Sequence, residues 1–122
     1  MTMSPFVLAV IAGGSFLAVI AYFWWSGTVN VSAARRMIQK GALLLDVDSS
    51  EAFGLAHLDG SVNIPVDDLA RRQDDVGPRE RRIVVYARKG RTSAHAAHIL
   101  RSIGYHSVLN LGPMSRWTAA QP

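Results

Sequence analysis

The hydrophobic pattern along the chain falls into two regimes. From Phe6 to Trp25, FVLAVIAGGSFLAVIAYFWW, twenty positions pass without a charge. At about 1.5 Å per helical residue this predicts a helix of roughly 30 Å, the depth of one hydrocarbon core. Beyond the polar linker Ser26–Asn30, apolar residues come in short runs broken by turn residues. A helix is predicted over Ala33–Lys40, capped by Ser32, with Met37 and Ile38 inward and Gly41 as its end. The runs Ala42–Val47 (ALLLDV) and Ile83–Tyr86 (IVVY) suit central parallel strands, and Ser61–Ile64 and Ser107–Asn110 read as shorter ones. Short helices are predicted at Ser50–Gly54 with Phe53 inward, from an Asp67 cap through Arg72, and over Pro113–Ala119 with Met114 and Trp117. Asp74–Arg82 reads as a polar loop punctuated by Gly77-Pro78. Ala94, Ala96, Ala97, Ile99, Leu100 and Ile103 recur at helical spacing before Gly104. Strands alternate with helices, which predicts an α/β sandwich with a mainly parallel sheet flanked by helices, preceded by one transmembrane helix. The expected division is residues 1–28 for the transmembrane helix and linker and 29–122 for a single domain large enough to bury a core.

Ten of the residues in Phe6–Trp25 are Leu, Ile, Val or Phe. At about −0.3 to −0.6 kcal/mol each they favour membrane insertion by roughly 3–6 kcal/mol before the small polar residues are counted against it. Tyr22, Trp24 and Trp25 gather at one end, where an interfacial aromatic belt belongs. A cleaved signal peptide is the competing reading, but no basic segment precedes the run and no small-x-small cleavage pattern follows Trp25. No Lys or Arg precedes the span, whereas Arg35, Arg36 and Lys40 follow it, so the expected topology is single-pass with the C-terminal domain in the cytoplasm. Ala9/Gly13 and Gly14/Ala18 are small-xxx-small pairs, ordinary in a segment this rich in small residues.

Charge refines the picture only slightly. In 122 residues there are 13 Lys+Arg against 9 Asp+Glu, a net charge of +4, all of it after residue 34. This suits an anionic ligand or membrane face; it is too small, and too poor in interleaved aromatics, to indicate nucleic acid. The absence of cysteine excludes disulfides, thiolate metal sites and thiol chemistry.

The chemistry-bearing stretch is Ile83–Ser93, IVVYARKGRTS. A strand runs into Ala87-Arg88-Lys89-Gly90-Arg91-Thr92, with Ser93 following and a helix behind. Such a turn directs backbone N–H groups into one concavity at a helix N-terminus, and three cations raise its positive potential. Cradles of this shape hold a nucleophile at the end of the strand, but Ala87 offers a methyl group. The expected ligand is a small oxyanion such as thiosulfate, sulfate or phosphate; the bland alternative is a loop that only connects strand to helix. A phosphate-binding P-loop is excluded because Val85 stands where its first Gly must be. A Cys-dependent phosphatase loop is excluded because it is one residue longer, with Arg where Ser93 stands. Asp46 ends a buried strand where open α/β sheets bind ligands, yet reads first as a structural acid bonded to backbone N–H groups or an Arg. His57 reads as packed and hydrogen-bonded. His95 and His98 share a helix face without a third ligand, so no metal is expected. Arg79, Arg81 and Arg82 read as a solvated loop, with anionic lipid as the minority reading.

Four stretches resemble the rhodanese-like domain family. Leu43–Val47 looks like the strand carrying the family's acid, here Asp46. Glu51–Pro65 is similar to its E-x-F-x-x-x-H-I-x-G-A-x-N-I-P segment, with Glu51, Phe53, His57, Gly60, Asn63 and Pro65 in place. Val84–Ala97 resembles the active-site strand, loop and helix, and Asn110–Trp117 the closing G-G-M-x-x-W segment. The matches cover about residues 29–119 in order. The resemblance implies a sulfurtransferase fold, in which a loop Cys takes sulfane sulfur as a persulfide and hands it to an acceptor such as cyanide or a thiol, with no cofactor. It places the nucleophile position at Ala87 and the anion-binding loop at Arg88, Lys89, Gly90, Arg91, Thr92 and Ser93, with Asp46 and Asp48 as supporting residues. Two departures follow. Ala87 removes the sulfur carrier, and Asp48 stands where the family commonly has Arg, which is expected to weaken an anion-binding rim. The N-terminal span is similar to that of bacterial inner-membrane members. Two expectations result: a membrane-anchored protein with an anion cradle and no sulfur transfer, its partners a sulfur oxyanion, the bilayer and a cytoplasmic protein; or a sulfurtransferase whose Cys was replaced by Ala87.

Overall fold

A computed structural model describes residues 31–119. The predicted membrane span Phe6–Trp25 and its linker lie outside the described residues. Among the described residues no helix is long and apolar enough to cross a membrane.

Four strands form one sheet in the order β2-β1-β3-β4, every neighbouring pair parallel. They are β1 (Leu43–Asp46), β2 (Val62–Asn63), β3 (Ile83–Ala87) and β4 (Val108–Pro113). The two continuous apolar runs occupy the centre, where both faces are covered and every residue of β1 and β3 is buried. One face packs Leu43, Leu45, Ile83 and Val85 against Ala96, Ala97 and Leu100 of the long helix α4 (Gly90–Ser102). The other packs Leu44, Val84 and Tyr86 against Ala34, Met37 and Ile38 of α1 (Val31–Gln39), with Met114 and Trp117 of α5 (Met114–Ala119) beside them. Side chains alternate across a strand, so consecutive residues of one run serve both cores.

Several elements depart from the sequence expectations. α4 begins at Gly90 rather than near Ala94, so Gly90, Arg91 and Thr92 form its first turn. A Cβ on Gly90 would lie 3.4 Å from Pro113 Cδ, so the helix start sits directly against the end of β4. β4 runs to Pro113, beyond the expected Asn110, through a bulge at which Leu111 is the extra residue opposite the Val85/Tyr86 step. Gly112 takes φ +82° there, and its amide donates to Asn110 Oδ1 at 2.9 Å.

The stretch expected as a helix from Asp67 to Arg72 is a single 3-10 turn at Val66–Asp68, and a short helix α3 (Gln73–Val76) forms where a polar loop was expected. Buried Tyr105 anchors this segment: its hydroxyl donates to the Gly77 carbonyl with the Gln73 carbonyl also within reach at 3.3 Å, and Val76 is fully buried. Arg79 is not solvated as expected. Its guanidinium lies over the Tyr105 ring, 4.8 Å from the centroid, while Arg81 donates to the Val76 carbonyl at 3.3 Å and Arg82 stays exposed. Phe53, expected inward, enters neither core. α2 (Ser50–Leu55) buries no residue, and Phe53 stacks on exposed His57 with centroids 3.8 Å apart.

Candidate functional site

In a parallel sheet all strand C-termini open on one edge, and the chain leaving each strand must turn there. Val47, Asp48 and Ser49 follow β1; Pro65, Val66 and Asp67 follow β2; Arg88 and Lys89 follow β3. Together with Ala52 and Thr92 these segments line a cavity of about 360 Å³. Backbone bonds hold them in place: Val47 N–H donates to Tyr86 O at 3.1 Å, and Val66 N–H to Val47 O at 3.1 Å.

Of the residues expected to form the cradle, Arg88, Lys89 and Thr92 line this cavity and Ala87, Gly90, Arg91 and Ser93 do not. Ala87 is the last residue of β3 and is fully buried. Ser93 is also buried, its hydroxyl donating to Gly90 O at 2.9 Å, while the Arg91 side chain is exposed. The amides of Thr92 and Ser93 turn back on Lys89 O at 3.1 and 3.4 Å. Those of Lys89, Gly90 and Arg91 meet no acceptor among the described residues, as first-turn donors of a helix do until a ligand arrives. Of these three amides, only that of Lys89 belongs to a residue that lines the cavity.

The Arg88 amide is already engaged. It donates to Asp48 Oδ2 at 3.0 Å, and the Arg88 guanidinium reaches Ala52 O, in the same cavity wall, at 3.1 Å. Asp48 itself is fixed from behind: its amide donates to Asp46 Oδ1 at 2.9 Å, and its carbonyl accepts from Asn63 Nδ2 at 2.9 Å. Partial burial pushes the Asp48 carboxyl above its ordinary range. The Arg88 amide pulls it down, Asp46 raises it and the Arg88 charge lowers it, leaving a net rise.

Asp46 is fully buried, and its Oδ2 has no hydrogen-bond partner among the described residues. It does not line the cavity; it orders the turn that presents Asp48. His57 is exposed, with Nδ1 2.7 Å from Phe53 O. His95 and His98 are exposed as well, and no group of metal-ligating side chains exists among the described residues. Six wall residues were not singled out from sequence as ligand-facing, and two of them, Ser49 and Asp67, carry polar side chains. Pro65 was the available signal for Asp67: it closes the strand paired with β1, so the residues after it emerge at the same sheet edge.

The family model for the rhodanese-like domain matches residues 30–120. The adenylyltransferase and sulfurtransferase uba4 of Ogataea parapolymorpha is 33% identical over 90 residues, 73% of this chain and 23% of that protein. The thiosulfate sulfurtransferase PspE of Escherichia coli K12 is 35% identical over 69 residues, 56% of this chain and 66% of that protein. The chain thus spans less than two thirds of the length of either curated relative. A solved structure of a rhodanese with anions from E. coli superposes with a TM-score of 0.60 and 30% identity, covering 67% of this chain and 95% of that one.

Proposed function

Because the chain belongs to the rhodanese-like domain family, we propose that it is a membrane-tethered member that binds a small sulfur oxyanion and transfers no sulfur. The observation that carries this reading is Ala87, a buried methyl group at the end of β3 where the resemblance puts the nucleophile. Sulfur transfer from thiosulfate requires a thiolate to attack the outer sulfur, forming an S–S bond as sulfite leaves with the electron pair of the broken bond. A methyl group has no lone pair to attack with, and the chain has no cysteine to substitute for it.

The oxyanion part of the reading draws on the unengaged amides of Lys89, Gly90 and Arg91 at the start of α4, and on Lys89 and Thr92 in the cavity wall. The thiosulfate sulfurtransferase and the anion-bearing rhodanese among its relatives make thiosulfate the first probe. The tether reading rests on the uncharged stretch Phe6–Trp25 and on the basic residues that follow it. It sets the domain at the cytoplasmic face of a bacterial inner membrane, within reach of a cytoplasmic protein partner.

The test is a thiosulfate-to-cyanide assay on the natural chain and on Ala87→Cys. The natural chain forms no thiocyanate above a heat-treated control, and formation above that control overturns the reading. A second reading, a sulfurtransferase whose Cys was replaced at 87, is favoured by a loop that keeps its glycine and its cations, Arg88, Lys89 and Arg91 around Gly90. Under that reading Ala87→Cys alone gives turnover, and the codon at position 87 of the native gene specifies Cys.

A further inference from the structure

The pocket contains its own anion. Asp48 Oδ2 accepts the Arg88 amide at 3.0 Å from 40 positions away in sequence. That amide is the first donor of the turn expected to hold the ligand. The contact is built rather than incidental. Asp46 Oδ1 holds the Asp48 amide at 2.9 Å, and Asn63 Nδ2 bridges the carbonyls of Asp46 and Asp48 at 3.1 and 2.9 Å. The Asp48 backbone is therefore tied on both sides of its side chain, and the carboxylate is delivered to one place.

We infer that Asp48 is the affinity switch of this pocket: a resident carboxylate that takes the first loop amide and so lowers the pocket's affinity for oxyanions. This rests on the anion-site reading given above. The charges around the cavity point the same way. Asp67 adds a second carboxylate to the wall, and the Arg88 guanidinium, which would offset them, is bonded to the Ala52 carbonyl. Arg88 and Lys89 are the cations of the wall, and Arg88 has one guanidinium nitrogen committed to that carbonyl. A dianion entering here approaches two carboxylates, with a third, Asp46, behind them. Like charges lining one cavity disfavour the second charged species. The upward push on the Asp48 carboxyl from burial and from Asp46 has the same origin, since that side chain already occupies a position where negative charge is poorly solvated.

The experiment uses the full 122-residue chain in detergent micelles, comparing the natural protein with Asp48→Ala, Asp48→Asn and Asp67→Ala. Sodium thiosulfate and sodium sulfate are titrated at constant ionic strength and followed by amide NMR. Without any anion, exchange of the Arg88 amide is at least ~10-fold faster in Asp48→Ala than in the natural chain, because its acceptor is gone. Thiosulfate binds at least ~10-fold more tightly to Asp48→Ala, with the Arg88 amide joining those of Lys89–Arg91 among the shifted resonances. Asp48→Asn, which keeps an acceptor oxygen without the charge, falls between. Asp67→Ala gains less than Asp48→Ala and leaves Arg88 exchange unchanged. Equal affinity in the natural chain and Asp48→Ala overturns the switch and leaves the anion site standing. An equal gain in Asp67→Ala also overturns it, since bulk charge then suffices. No binding by any of the four proteins removes the site, and the switch with it.

Discussion

Tyr86 places its ring in the core beside Leu44, Leu58 and Leu111 and closes a ring of hydrogen bonds with its hydroxyl. Leu58 N–H donates to Tyr86 Oη at 2.9 Å, Tyr86 O–H to Ser61 Oγ at 2.9 Å, and Ser61 O–H back to Leu58 O at 2.6 Å. Tyr86→Phe leaves the buried Leu58 N–H without an acceptor. The expected loss is about 1–3 kcal/mol, read from the urea midpoint at unchanged slope. Burial pushes the Tyr86 hydroxyl up to about 12. The folded state therefore keeps its proton longer than the unfolded chain does. The stabilisation is complete below the ordinary tyrosine value near 10 and is lost as pH rises through about 12. An ultraviolet phenolate titration is expected to show a step near pH 12 that Tyr86→Phe abolishes. The sign for Asp48 follows the same logic in the acid range. Its carboxyl is raised, so the protonated form is the better tolerated one in the fold, and the penalty for ionising it sets in as pH rises above the ordinary Asp value. Asp48→Asn is accordingly more favourable relative to the natural chain at pH 7 than at pH 3. A larger advantage at pH 3 would contradict the cause assigned here. Position 87 was legible from sequence because it is local, the last residue of an apolar run. The role of Asp48 was half legible: an acid in place of a base is visible, but its meeting with an amide 40 residues away exists only after β1 and β3 pair.

At the scale of elements, the central strands were plain because a parallel strand buried on both faces has little alternative to a continuous apolar run. The boundaries that moved did so for tertiary reasons. Arg-Lys-Gly-Arg-Thr reads as a loop by composition, since Gly and Thr are weak helix formers. α4 nevertheless starts at Gly90, where the first turn rests against Pro113. α3 forms within a polar stretch that Tyr105, about 30 residues later, anchors through its hydroxyl at the Gly77 carbonyl. The bulge in β4 is equally non-local in its cause: one residue more than β3 needs, with Gly112 absorbing the bend at φ +82°. A Cβ at Gly112 would meet Arg116 Nη1 at 3.1 Å, and the left-handed conformation disfavours any L side chain. Gly112→Ala is expected to lower stability by about 1–2 kcal/mol, measured by denaturant unfolding. Gly90→Ala, at a negative-φ helix start with ordinary contact distances to Pro113, costs less.

At the scale of the whole molecule, the domain and the N-terminal stretch raise separate questions. The domain places one cavity at the edge where three strands end, so its walls come from segments far apart in sequence and no single motif specifies it. The proposed tether, by contrast, rests on one uninterrupted stretch of sequence, whose insertion energetics can be reckoned without tertiary contacts. Ten large apolar side chains in Phe6–Trp25 favour insertion by roughly 3–6 kcal/mol. A single arginine at the middle of the span opposes it by about 2.5–3.5 kcal/mol, and replacing Phe16 removes one favourable contribution as well. Phe16→Arg therefore brings insertion close to balance. The natural chain is expected to remain in the pellet when membranes are washed with alkaline carbonate. Phe16→Arg is expected to divide between pellet and wash, while Ala87→Cys, which touches only the domain, fractionates as the natural chain does. A natural chain released by the wash would separate the two halves of the proposal, removing the tether and leaving the pocket chemistry to stand by itself.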